Sequence, residues 1–410
     1  MRVARQTAYG PLIRQCLRRW IPAGHAPWRR FPAWSDVPRR RWYDWRWQWR
    51  HLIRTAADLA RLGLLRTGAA EGLDSVAAVY PVVISPYYAS LMDPDDPADP
   101  IRRQAVPDLE EVASPMGLSP DPLGERRLEV VPGLIHRYAD RVLLIVSNMC
   151  STFCRHCFRK RILGRPGVAT AVRHLDAAVD YIRRHPEVRD VILSGGDPLV
   201  LPTSVLARLL RALRSIPHVE IIRLGTRVPV TLPMRVWDPA LLTVLDRYGP
   251  IWCLTQFNHP REVTPEARAT VQMLLRVGVP VLNQAVLLRG INDDVETQRA
   301  LHRALVRACI KPYYLHHADP VRGTHHFRTS LTRGLEIMEG LRGHISGIAI
   351  PTYVVDLPDG GGKVPLLPDY RVAVGPDVWV LRNHRGELFA YDVGASADGT
   401  RRLSAWEDAG

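Results

Sequence analysis

From about residue 141 the chain alternates short apolar runs with amphipathic helical patterns, and few folds accept that alternation. The candidate strands are Val142–Ser147, Val191–Ser194, Glu220–Gly225, Ile251–Phe257, Val281–Leu288 and Pro312–His316. Between them, Ala171–Arg184, Ser204–Ile216 and Pro265–Val277 carry apolar side chains at helical spacing. Parallel strands need a crossover connection of a dozen or more residues, and a helix supplies it. The pattern predicts an α/β fold: a partial parallel (β/α) barrel of about six strands over residues 131–366. In such a fold, reactive groups sit at the C-terminal ends of the strands.

The flanks have a different texture. Residues 1–130 read as a helical N-terminal extension with Pro-rich loops around Asp93–Pro100 and Pro115–Pro122. Tryptophan is concentrated there, from Trp20 through Trp49, and a packing surface is the expected use. Residues 367–410 predict a small β appendage, because Val378–Arg382 and Leu388–Tyr391 flank the turn-like Asn383-His384-Arg385-Gly386.

Charge and cysteine usage narrow the function. The net charge is +14, from 55 Lys+Arg against 41 Asp+Glu. An Arg-rich nucleic-acid-binding zinc protein is one reading of that balance. No Lys/Arg block or RNA-binding signature accompanies it, so no nucleic-acid partner is expected. No apolar run is long enough to span a bilayer, and no apolar signal segment opens the chain, so a cytoplasmic protein without a membrane partner is expected. Three of the six cysteines fall within eight residues, which suits metal ligation in a reducing compartment better than disulfides.

Those three, Cys150, Cys154 and Cys157, have C-x₃-C-x₂-C spacing directly after the first candidate strand. Soft thiolates so close together can hold three corners of an iron–sulfur cluster and leave one iron open. A zinc site would normally close with a fourth ligand, for which His156 is the neighbour at hand. The triad and its position resemble the radical S-adenosylmethionine superfamily. Ser194-Gly195-Gly196-Asp197, ending the second candidate strand, matches the turn that meets S-adenosylmethionine in that superfamily. Near the end of the barrel, Asp359-Gly360-Gly361-Gly362-Lys363 reads as a flexible loop carrying one lysine. It lacks the Ser or Thr of a phosphate loop, but a sheltered lysine can bond to an aldehyde cofactor.

Further stretches occur in a specific order: Ile84-Ser85-Pro86-Tyr87-Tyr88, His136-Arg137-Tyr138-Ala139-Asp140-Arg141, Phe257-Asn258-His259-Pro260, His326-Phe327-Arg328-Thr329 and Pro351-Thr352-Tyr353-Val354-Val355-Asp356. With the motifs above, they resemble the lysine 2,3-aminomutase family of pyridoxal-phosphate-dependent radical enzymes, from Trp42 to about Tyr370.

The resemblance implies a [4Fe–4S] cluster on the three cysteines and S-adenosylmethionine at Ser194–Asp197. It implies pyridoxal 5′-phosphate on Lys363, with Arg137, Tyr138, Arg141 and Gln284 around it. Arg159 would clamp the substrate carboxylate, and Asp319 and Asp356 would grip a distal ammonium. The implied reaction is a 2,3-amino shift on L-lysine giving L-β-lysine. A homo-oligomer and an electron donor such as flavodoxin or ferredoxin are implied as partners. Arginine and the elongation factor P-type lysine reaction remain alternatives. The chain departs from the family pattern at Gln256, at Phe158-Arg159-Lys160-Arg161 and at His316-His317-Ala318. It has no second cysteine cluster, so no structural zinc is expected.

Overall fold

A computed structural model describes residues 2–65, 70–113, 115–168, 170, 172–393 and 401–402. Its main sheet has ten strands in sequence order: β1 (Glu129–Val131), β2 (Leu134–Tyr138), β3 (Arg141–Ser147), β4 (Asp190–Gly195), β5 (Ile221–Gly225), β6 (Ile251–Thr255), β7 (Val281–Leu287), β8 (Lys311–His317), β9 (Thr352–Leu357) and β10 (Gly362–Pro365). From β3 to β9 every neighbour is parallel. The edges turn antiparallel, through β1 and β2 on one side and β10 on the other. The two edges do not join, so the barrel is open.

The six candidate strands are all present, and β9 adds a seventh parallel one that the alternation did not single out. β9 opens on Thr352 and carries Asp356 one residue before its end, which leaves only a short apolar centre. The Ile251–Phe257 run stops at Thr255 because Asn283 replaces the ladder beyond it. Its side chain accepts from Phe257 N at 2.7 Å and donates to Phe257 O at 3.0 Å.

The sheet interior is apolar because helices cover it. In the helix Thr203–Arg214, Leu206, Leu209, Leu210 and Leu213 recur at helical spacing and are buried. Each contributes about 1.5–3 kcal/mol by leaving water. Helix starts follow local chemistry: Thr264 accepts from Ala267 N at 3.1 Å with Pro265 at the first helical position, and Asp294 accepts from Thr297 N at 2.8 Å. The helix that begins near Ala171 in the sequence reading is Leu175–Arg184; Ala171 itself lies outside the described residues.

The N-terminal helix Arg2–Trp20 packs on helices Pro239–Arg247 and Pro265–Arg276. The tryptophans behind it serve packing within the chain: Trp28 stacks on Trp42 with centroids 4.8 Å apart, and both are fully buried. The C-terminal strands Arg371–Val374, Val378–Arg382, Leu388–Asp392 and Arg401–Arg402 form a separate antiparallel sheet, with Arg382 opposite Leu388 at the expected hairpin. Among the described residues no helix is long and apolar enough to cross a membrane.

Candidate active site

The cysteine loop leaves the C-terminal end of β3. Buried ion pairs fix it: Glu111 accepts from Arg155 Nη2 at 2.6 Å and from Lys160 Nζ at 2.5 Å. Arg155 N also donates to Gln104 O at 2.9 Å. Burial pushes the Cys150 thiol well above its usual range, and the Cys157 thiol to about 11, with the neighbouring sulfurs adding to both. Three adjacent thiolates therefore need a cation. Arg227 supplies part of it, donating from Nη1 to Cys154 Sγ at 2.8 Å.

A cluster of ferrous and ferric iron would supply the rest. Three thiolates without a fourth cysteine beside them fit a cluster that keeps one iron open, whereas a structural zinc would take a fourth protein ligand.

The β4 turn lies against this loop. Gly195 has φ of 105°, and a Cβ there would come within 2.7 Å of Ile145 Cγ2 and Ser147 O. A Cβ on Gly196 would strike the Met149 backbone. Only glycine lets the two segments close, with Asp197 N donating to Met149 O at 2.8 Å. The Asp197 carboxylate is buried and fully engaged: it accepts from Thr226 Oγ1 at 2.6 Å, Arg227 N at 2.7 Å, Leu199 N at 2.9 Å and Val228 N at 3.2 Å. What this turn can offer a ligand is its backbone, while Asp197 ties β4 to the end of β5.

Across the sheet, Lys363 is on a strand and not in a loop. β10 folds back antiparallel on β9, which sets Lys363 opposite Asp356. The Lys363 amine donates to Asp356 Oδ2 and lies 3.2 Å from His316 Nδ1. Its backbone N–H donates to Tyr138 Oη at 2.9 Å. Arg137 Nη1 is 3.5 Å from Asp356 Oδ1, and the Arg141 guanidinium stacks 4.2 Å from the Tyr138 ring centre. Gln284 sits on β7 opposite Tyr314, whose ring centre is 5.5 Å from Lys363 Nζ.

Burial alone would raise the Asp356 carboxyl, but the His316 hydrogen bond and the Lys363 charge hold it well below the usual range. Asp319 has the opposite balance: burial and the Asp356 charge push it up to about 7. Burial keeps His316 below its ordinary value. A primary amine flanked by a phenol, a guanidinium and an imidazole fits an aldehyde cofactor that carries a phosphate.

Arg159 does not open freely into this space. Its Nε and Nη2 fork onto Glu125 at 2.9 and 2.7 Å, and Nη1 reaches Ser194 Oγ at 3.1 Å. Glu125 also accepts from Arg161 at 2.8 Å.

Sequence reading did not identify Arg227, His316, Tyr314, Glu111 or Glu125. Arg227 follows β5 by two residues, the same position that flagged the other motifs, so strand-end position was a usable signal for it. Glu111 and Glu125 lie in the irregular N-terminal segment and carry no local signal.

Residues 144–301 match the family model described as the radical SAM superfamily, and residues 338–400 match the one described as lysine-2,3-aminomutase. The chain is 46% identical to an L-lysine 2,3-aminomutase of Clostridium subterminale, over 88% of this chain and 87% of that one. It is 46% identical to that of Bacillus subtilis over 89% and 77%, respectively. A glutamate 2,3-aminomutase of Clostridioides difficile is 40% identical over 87% of this chain and 84% of its own. The cysteine loop after β3, the glycine turn after β4 and this similarity along most of the sequence agree: the chain belongs to the lysine 2,3-aminomutase family within the radical SAM superfamily.

Proposed function

We propose that the protein is an L-lysine 2,3-aminomutase that moves the 2-amino group of L-lysine to carbon 3, giving L-β-lysine. One observation carries the substrate choice. Asp356 already accepts an alkylammonium, that of Lys363, and Asp319 lies close enough for the two carboxylates to repel. An acidic pair of this kind suits a basic side chain and opposes the second carboxylate of glutamate.

In this reading Cys150, Cys154 and Cys157 hold a [4Fe–4S] cluster, and the backbone of Ser194, Gly195 and Gly196 faces S-adenosylmethionine, with Asp197 bracing the turn. Lys363 anchors pyridoxal phosphate, and Arg137, Tyr138, Arg141 and Gln284 surround it. When bound, these groups supply a carbon-centred radical and an aldehyde that engages the migrating amino group. The chain itself contributes position and charge. Tyr138 holds the Lys363 backbone, and Arg137 sets the Asp356 carboxylate. His316 Nδ1, beside both the Lys363 amine and Asp356, helps keep that carboxylate ionised. Arg159 is the candidate for the substrate carboxylate, through Nη1, since Glu125 holds its other donors. A low-potential donor such as flavodoxin or ferredoxin and a homo-oligomeric assembly belong to the same proposal.

The test is anaerobic incubation of the reduced holoenzyme with lysine, arginine or glutamate, each alone, followed by chromatography for β-isomers. β-Lysine as the main product is expected. β-Arginine would reassign the substrate within the basic class, and β-glutamate would overturn the reading.

A further inference from the structure

Behind the cysteine loop, two short helical turns face each other: Leu109–Glu111 from the N-terminal extension and His325–Phe327 from the segment between β8 and β9. Glu110, His325 and His326 present one donor atom each, all within 4.8 Å of one another. Both ring nitrogens of His326 are buried without a hydrogen-bond partner, and the residue as a whole is 8% exposed. His325 Nδ1 is also buried and unpartnered.

Three unsatisfied imidazole nitrogens within one small volume are costly, since a buried polar atom without a partner has lost its water and gained no bond in return. The Phe327 ring, 4.1 Å from that of His326, offers no acceptor. From these contacts we infer that Glu110, His325 and His326 bind a divalent metal ion of the zinc class.

Two neutral imidazoles and a carboxylate form a borderline-soft set with no thiolate, which suits zinc and leaves one coordination position open. Ligands on a tetrahedral zinc at about 2.05 Å lie about 3.3 Å apart, so the set must contract by about 1.5 Å. Glu110 is exposed and can swing that distance without disturbing the core. Each neutral imidazole offers one ring nitrogen as a ligand and keeps its N–H on the other. Lys160 and Arg155 share the Glu111 carboxylate as counter-ion, and Asp108, whose charge also reaches His326, offsets the positive charge that remains beside the site.

Counting cysteines gave zinc no home in this chain. The fold makes one from residues more than two hundred positions apart, at a seam that also carries the Glu111–Arg155 pair of the cluster loop. A metal there would pin the extension to the barrel beside the iron site.

The test uses anaerobic holoenzyme with its iron complement full, so that the loop cysteines are occupied. It is dialysed against zinc(II), and bound metal and zinc X-ray absorption are measured. One zinc per chain with only nitrogen and oxygen scatterers near 2.0–2.1 Å is expected. Glu110→Gln and His325→Ala, both at partly open positions, should each weaken zinc binding at least about tenfold with iron content unchanged. Zinc ligated by sulfur, zinc binding indifferent to both substitutions, or no retained zinc would each overturn the assignment.

Discussion

Lys363 and Asp356 are register partners across the antiparallel β9–β10 pair, and the amine of the first donates to the carboxylate of the second. The lysine proposed to carry the cofactor thus rests on a carboxylate proposed to read the substrate. Borohydride treatment of the protein with pyridoxal phosphate should fix the cofactor on Lys363, as mapped by peptide mass spectrometry. Recovery of the adduct on Lys160 or Lys311 would defeat that assignment. Asp356→Asn should lower lysine turnover by roughly 30-fold to a few thousandfold, since removing one partner of a buried charge pair costs about 2–5 kcal/mol.

Asp319 should impose a pH dependence. Its folded value, about 7, lies above the ordinary 3.8, so keeping it ionised works against the native state. Its contribution to stability is therefore lost as pH rises from about 4 to about 7. Cation binding runs the other way, because it favours the ionised form. The KM for lysine should fall up to about tenfold between pH 6 and pH 8, where the ionised fraction climbs from about a tenth to nearly all. Asp319→Asn should flatten that profile; an unchanged profile would remove Asp319 from substrate binding.

The Arg227–Cys154 contact predicts a redox effect. A charged donor on a cluster sulfur stabilises the more negative, reduced state. Arg227→Gln should retain iron yet shift the midpoint potential negative by roughly tens of millivolts, read by an electron-paramagnetic-resonance titration. Cys154→Ala, in contrast, should lose most of the iron and the visible absorbance.

Glu111 is the counter-ion for both Arg155 and Lys160, and its side chain is fully buried. Burial raises its carboxyl, but the two cations override that and set it below the usual range. Its stabilisation is therefore present above the unfolded value near 4.5 and is lost as pH falls below it. Glu111→Gln leaves two buried cations and should cost about 3–5 kcal/mol, measured as a lower urea midpoint at pH 7. A change under about 1 kcal/mol would mean that water reaches the pair.

Much of this molecule is legible in its sequence because the relevant information is local. Burial on both faces of a parallel strand writes itself as a short apolar run, so the strands from Val142 to His316 could be located within two or three residues of their ends. Ligand spacing is local too, and C-x₃-C-x₂-C announces itself without a fold. Lys363 shows where this stops. Gly360-Gly361-Gly362 looks like a free loop, and only the return onto β9 makes the residue after it a strand position facing Asp356. Arg159 and Asp197 look like ligand-facing groups in sequence, yet Glu125 engages most of the first and four donors engage the second. The Glu111–Arg155, Arg227–Cys154 and Glu110–His325–His326 groupings join residues separated by 44, 73 and more than two hundred positions. Sequence periodicity records which face of an element avoids water. Which charge meets which is decided by where the curved open sheet and the wrapped extension bring distant segments together, and there the tertiary structure alone decides.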